Sequence, residues 1–67
     1  MNHRLNEYEY KYLLGDNKFW DIKGAAWNIV MTFCERHQLG SFGNPSVKGL
    51  ERMQEYEYRT GAERPIC

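Results

Sequence analysis

Cysteine is scarce in this chain. Cys34 and Cys67 are the only two in 67 residues, too few for the disulfide framework of a small secreted scaffold. Both are read as thiols in a reducing, cytoplasmic setting. Histidine is as scarce, with His3 and His37 alone. Cys34 and His37 have the i,i+3 spacing of a ligand pair, but a zinc site takes about four ligands. The remaining candidates, His3 and Cys67, sit near opposite ends of the chain. The expectation is therefore no metal and no cofactor, with a buried structural thiol and a surface histidine near a helix C-terminus.

Net charge is missing as well. Nine Lys and Arg cancel nine Asp and Glu. Residues 1–23 set Arg4, Lys11, Lys18 and Lys23 against Glu7, Glu9, Asp16 and Asp21, and residues 44–67 balance in the same way. Nucleic-acid binders usually carry a basic patch, so this balance counts against nucleic acid as the main partner. No long apolar run exists. The longest uncharged stretch, Gly24 to Cys34, is eleven residues, too short to span a bilayer and suited to a buried core helix. The first fifteen residues are too polar for a signal peptide, and no membrane association is expected. Gly40 and Gly43 lack both the Lys-Ser/Thr of a P-loop and the three-glycine Rossmann spacing. Two histidines and two cysteines are the only easy acid–base or nucleophilic groups. A chain of this size also has little volume for a substrate pocket of several hundred Å³. The chain reads as a non-enzyme.

What is present is apolar and aromatic. Apolar residues make up 42%, and two Trp, five Tyr and three Phe make up 15%. Large rings bury much area per residue, which suits a minimal core. The length fits a single domain, residues 1–67, with a short tail at 62–67 in which Ile66 docks. So short a chain hides only about 60% of its unfolded surface, which is compatible with partner binding or a homodimer.

The tetrapeptide Glu-Tyr-Glu-Tyr occurs twice, at 7–10 and 55–58. Its alternation suits a half-buried strand, but the surrounding punctuation is helical. Asn6 is a good N-cap, and Glu9 stands where it can reach back to the cap. Leu5 and Tyr10 can form a hydrophobic staple, Glu7 and Lys11 an i,i+4 ion pair, and Gly15 a left-handed stop. These signals predict a helix over Glu7 to Leu14. The rival is an N-terminal β-hairpin, with "YEYKYLL" and "KFWDI" as strands around "GDN". Ile22, Ala26, Ile29, Val30, Phe33 and Cys34 recur at helical spacing and predict a central helix over about 22–38, capped by Asp21 and stopped by Gly40. On this reading Ile29 and Phe33 are core residues. "LGSFGNPS" reads as a loop. Asn44 before Pro45 predicts a last helix over about 45–60, closed by Gly61, with Val47, Leu50, Met53 and Tyr58 inward. Gly49 inside it costs about 1 kcal/mol relative to alanine and marks a candidate close-packing point. The fold class expected is all-α, three helices around the central one; the alternative is α+β with the N-terminal hairpin.

Residues two apart on a helix lie about 200° apart, so each Glu-Tyr-Glu-Tyr must split its tyrosines. Tyr10, Leu13 and Leu14 form one face of the first helix, Tyr8 and Tyr12 the other. Tyr56 points away from the core beside Lys48, Glu51, Arg52, Glu55 and Arg59. Surface tyrosine with arginine is the side-chain set of protein-binding hot spots. Tyr8, Tyr12, Tyr56, Arg52 and the loop residue Phe42 are therefore the candidate partner-binding residues. The competing explanation is that the rings lie flat over a small core and that Phe42 folds back as a plug.

Residues 35–61, "ERHQLGSFGNPSVKGLERMQEYEYRTG", resemble the second and third helices of winged-helix transcription regulators. Leu39-Gly40 resembles their helix end, and Pro45-Ser46-Val47 the start of their recognition helix. The resemblance implies a helix-turn-helix-like DNA-binding regulator in which Ser46, Lys48 and Arg52 face DNA. Glu51 and Glu55 would then lie near the phosphates, and no basic wing follows. The first expectation is instead a small accessory protein that binds another protein through an aromatic surface and blocks or modulates it. Inhibitors that phages direct against host machinery belong to this class.

Overall fold

The structure is a computed structural model that describes residues 4–63. His3, Ile66 and Cys67 lie outside the described residues. Helices account for 68% of what is described, joined by a small antiparallel pair of strands. The elements run α1 (Glu7–Leu14), α2 (Asn17–Ile22), a 3-10 turn (Gly24–Ala26), α3 (Trp27–Arg36), β1 (Gly40–Ser41), β2 (Asn44–Pro45) and α4 (Val47–Thr60).

Residues 7–14 form a helix, so the N-terminal hairpin is not adopted. The local chemistry explains why. The Glu9 amide donates to Asn6 Oδ1 and the Asn6 amide to Glu9 Oε1, both at 2.9 Å, which closes the capping box. Gly15 ends the helix at φ 82°. Lys11 pairs with Asp16 at 3.5 Å rather than completing the expected pair with Glu7. Asp16 also caps α2 by accepting from the Phe19 amide at 3.1 Å, and that hydrogen bond is the first cause holding its carboxyl below the ordinary range.

The expected central helix is two helices. The 3-10 turn after Lys23 interrupts it, and Asp21 lies inside α2 rather than at a cap. α3 then ends at Arg36, and Gln38 takes a left-handed φ of 57° ahead of Gly40. The interruption resets the helical phase. Trp27, Val30, Met31 and Cys34, at i, i+3, i+4 and i+7, pack on the core. Ile29 is left 75% exposed, which corrects its expected place inside.

The "SFGN" stretch is a tight hairpin, with Gly40 opposite Pro45 and Ser41 opposite Asn44. Asn44 and Pro45 are thus strand residues, and the helix start moves to Ser46. Its hydroxyl accepts from the Gly49 amide at 3.1 Å and donates to the Gln38 carbonyl at 2.8 Å. Pro45 has no amide hydrogen to offer, which suits an edge strand. The hairpin tip docks on α1: the Gly43 amide donates to the Tyr12 carbonyl at 3.1 Å. A Cβ on Gly15 would stand 2.9 Å from Gly43 Cα, so these two backbones meet where no side chain fits.

The centre of the molecule is α1 rather than the 22–38 segment. It touches α3, both strands and α4, and it buries Glu9, Tyr10, Tyr12 and Leu13. α4 crosses it, with the Tyr10 hydroxyl donating to Glu57 at 2.7 Å and Arg59 donating to the Leu5 carbonyl at 2.9 Å. Gly49 and Met53 are its buried residues, and a Cβ at Gly49 would collide with the Leu39 carbonyl oxygen. The close-packing point is real, and the partner is the turn before β1. The phase of α4 also differs from expectation: Val47 and Tyr58 are 76% and 93% exposed, and Tyr56 turns inward.

Candidate functional site

The five residues expected to bind a partner do not share an open face. Tyr12 is 3% exposed. Its ring meets Trp27 at 5.1 Å, Phe42 at 5.6 Å and Trp20 at 6.4 Å. It is a core residue, because α1 is covered on two sides and its second face has no solvent to meet. Burial raises its phenol above the ordinary value; the electrostatic influence of Cys34 and Glu35 acts the same way, against a hydrogen bond from the Phe42 backbone. Phe42 folds back as a plug over Tyr12 and Trp27. Tyr8 is half-buried, edge-on to Phe19 and Trp20 at 5.4 and 6.1 Å. Tyr56 is half-buried and stacks on Tyr10 at 4.4 Å, with the Arg59 guanidinium over its ring. Arg52 is half-buried on α4. Edge-to-face and offset contacts of this kind add about 0.5–1.5 kcal/mol each beyond area burial, so these rings are committed to stability.

Chemistry elsewhere in the described residues is sparse. Cys34 is fully buried. Burial first, and the charge of Glu9 second, push its thiol up to about 12. A nucleophile or metal ligand must reach the thiolate form, which this environment opposes. No group of three or more His, Cys, Asp or Glu among the described residues could hold a metal ion. No helix among them is long and apolar enough to cross a membrane. Ser46, assigned to DNA by the winged-helix resemblance, is engaged at both ends of its hydroxyl as the cap of α4. The connection from α3 to α4 is the β-hairpin, where a helix-turn-helix has a turn of three or four residues.

Ile22, Val47 and Tyr58 are exposed on other elements, and among the described residues a grooved apolar surface lies on the outer face of α3. Ile29, Thr32, Phe33, Arg36 and His37 line a groove of about 320 Å³. Ile29, Phe33 and His37 follow one another at i,i+4, and Thr32 and Arg36 form a parallel row, so among the described residues one side of α3 and its C-cap carries the lining. The Phe33 and His37 rings pack at 4.2 Å, which builds a wall of the groove. The volume sits at the low end of the roughly 300–1,000 Å³ typical of ligand pockets and suits inserted side chains. The legible signal for this site was the 27, 30, 31, 34 stripe. Once it is assigned to the core, Ile29 must turn outward, while Phe33, at the edge of the stripe, is half-buried and still packs against the core. Comparison with protein families, curated proteins and solved structures finds no match to this chain.

Proposed function

We propose that this protein is a non-catalytic accessory protein that docks another protein onto the outer face of α3 and blocks or modulates it by covering its surface. Small inhibitors that phages direct against host machinery are the class whose size, neutrality and aromatic richness it shares. One observation carries the reading: Ile29 is 75% exposed beside a groove walled by Phe33 and His37, while the tyrosines expected at the surface are largely consumed in ring packing. A single exposed apolar residue needs no explanation, but a grooved apolar face with a polar rim is the form of an interaction site. The test is quantitative affinity capture from a lysate of the host cell in which the chain acts, with wild-type, Ile29→Glu and Val47→Glu proteins as baits. A protein retained by wild type and Val47→Glu but lost by Ile29→Glu is the expected result. Equal retention on all three baits overturns the site.

A further inference from the structure

We propose that the α3 groove receives an amphipathic helix that sets an apolar side chain between Ile29 and Phe33 and a carboxylate, one turn along, against Arg36; this rests on the docking reading above. The groove is chemically polarised along its length. Its first turn is apolar, from Ile29 and Phe33, and its last turn carries Arg36 and His37. Among the described residues no carboxylate lines it; Glu35, the nearest in sequence, is one position round the helix and outside the lining. Arg36 is exposed and makes no ion pair among the described residues, so a carboxylate arriving there gains a charge-assisted contact. Residues 29 to 37 span about 12 Å, just over two helical turns, which matches anchors at i and i+3 or i+4 of a bound helix. An extended occupant gains nothing here. The host element is a helix whose backbone groups are already paired, so no strand edge is offered for β-augmentation.

The experiment selects a displayed library of helical peptides on the full chain and counter-selects on Ile29→Glu. Circular dichroism and melting of each variant are matched to wild type first. Enriched peptides should carry an apolar residue followed three or four positions later by Asp or Glu. Arg36→Glu should weaken them about tenfold or more, the scale of one charge-assisted contact, and exchanging the peptide acid for Lys should restore binding to Arg36→Glu. Enriched peptides that lack the acid, or that ignore Arg36→Glu, overturn the acidic-helix inference and leave the docking reading standing. A library with no binders sensitive to Ile29→Glu overturns both. Sedimentation showing a dimer that Ile29→Glu dissociates assigns the groove to a second copy and overturns the inference in favour of self-association.

Discussion

Tyr12 holds together rings from three elements: Trp20 of α2, Trp27 of α3 and Phe42 of the hairpin. Truncating it should therefore cost about 3–5 kcal/mol, as for other buried aromatics, a large share of the total for a small domain. Ile29→Ala should change stability by no more than about 0.5 kcal/mol, because its side chain is already in water. Urea midpoints of the two variants decide this, and a destabilised Ile29→Ala would place that side chain in the core. Gly49 supplies a second residue-scale test, in which propensity and packing have opposite signs. Alanine there is the better helix former by about 1 kcal/mol, yet its methyl would collide with the Leu39 carbonyl oxygen. The buried backbone cannot yield cheaply, so Gly49→Ala should lose about 1–3 kcal/mol net. A stabilised variant would mean that the turn before β1 relaxes.

Caps explain where the elements begin and end; those of α1 and the stop of α4 were legible, whereas Asp21 and Asn44, expected as caps, lie inside α2 and β2. Asn6, Glu9 and Gly15 bound α1, Gly61 closes α4 at φ 77°, and each acts through one local hydrogen bond or one backbone conformation. Ser46 binds α4 to the preceding chain as well as capping it. Ser46→Ala should lose about 1–2 kcal/mol, toward the upper end of the N-cap range, measured by thermal melting; a change below a few tenths would show that water replaces it. Helical phase was far less legible. In α4, Leu50 and Met53 face the core as their spacing predicts, but Val47 and Tyr58 turn outward and Gly49 and Tyr56 turn inward. Hydrophobicity alone favours the opposite exchange; it loses because a glycine lets Leu39 approach and Tyr56 finds Tyr10. In the 22–38 segment no proline or cap announces the break after Lys23, so a continuous stripe was the natural reading. Both errors moved residues between core and surface, and the candidate site moved with them. Tertiary contacts decide such phases, and no local pattern records them.

For the molecule as a whole, the buried thiol couples folding to alkaline pH. Cys34 ordinarily titrates near 9 and is pushed up to about 12 in the fold; the Tyr12 phenol is also raised. A raised folded-state value means that the unfolded chain gives up its proton first. Stability is therefore complete below about pH 9 and falls as the pH climbs from there toward 12. The slope from one group reaches at most about 1.4 kcal/mol per pH unit. Urea titrations across this range should show the decline, and Cys34→Val should flatten its lower part; an identical slope in the variant would place the loss elsewhere.

Both tryptophans stand in the same ring cluster, centroids 5.4 Å apart and nearly perpendicular, on the inward side of α2 and α3. Their emission and near-ultraviolet dichroism therefore report whether the cluster is assembled and stay silent when something settles on the outer face of α3. A spectroscopic titration that sees no change would say nothing about occupancy there, so a dye placed beside the groove, or a mass-sensitive readout, is the instrument this architecture calls for.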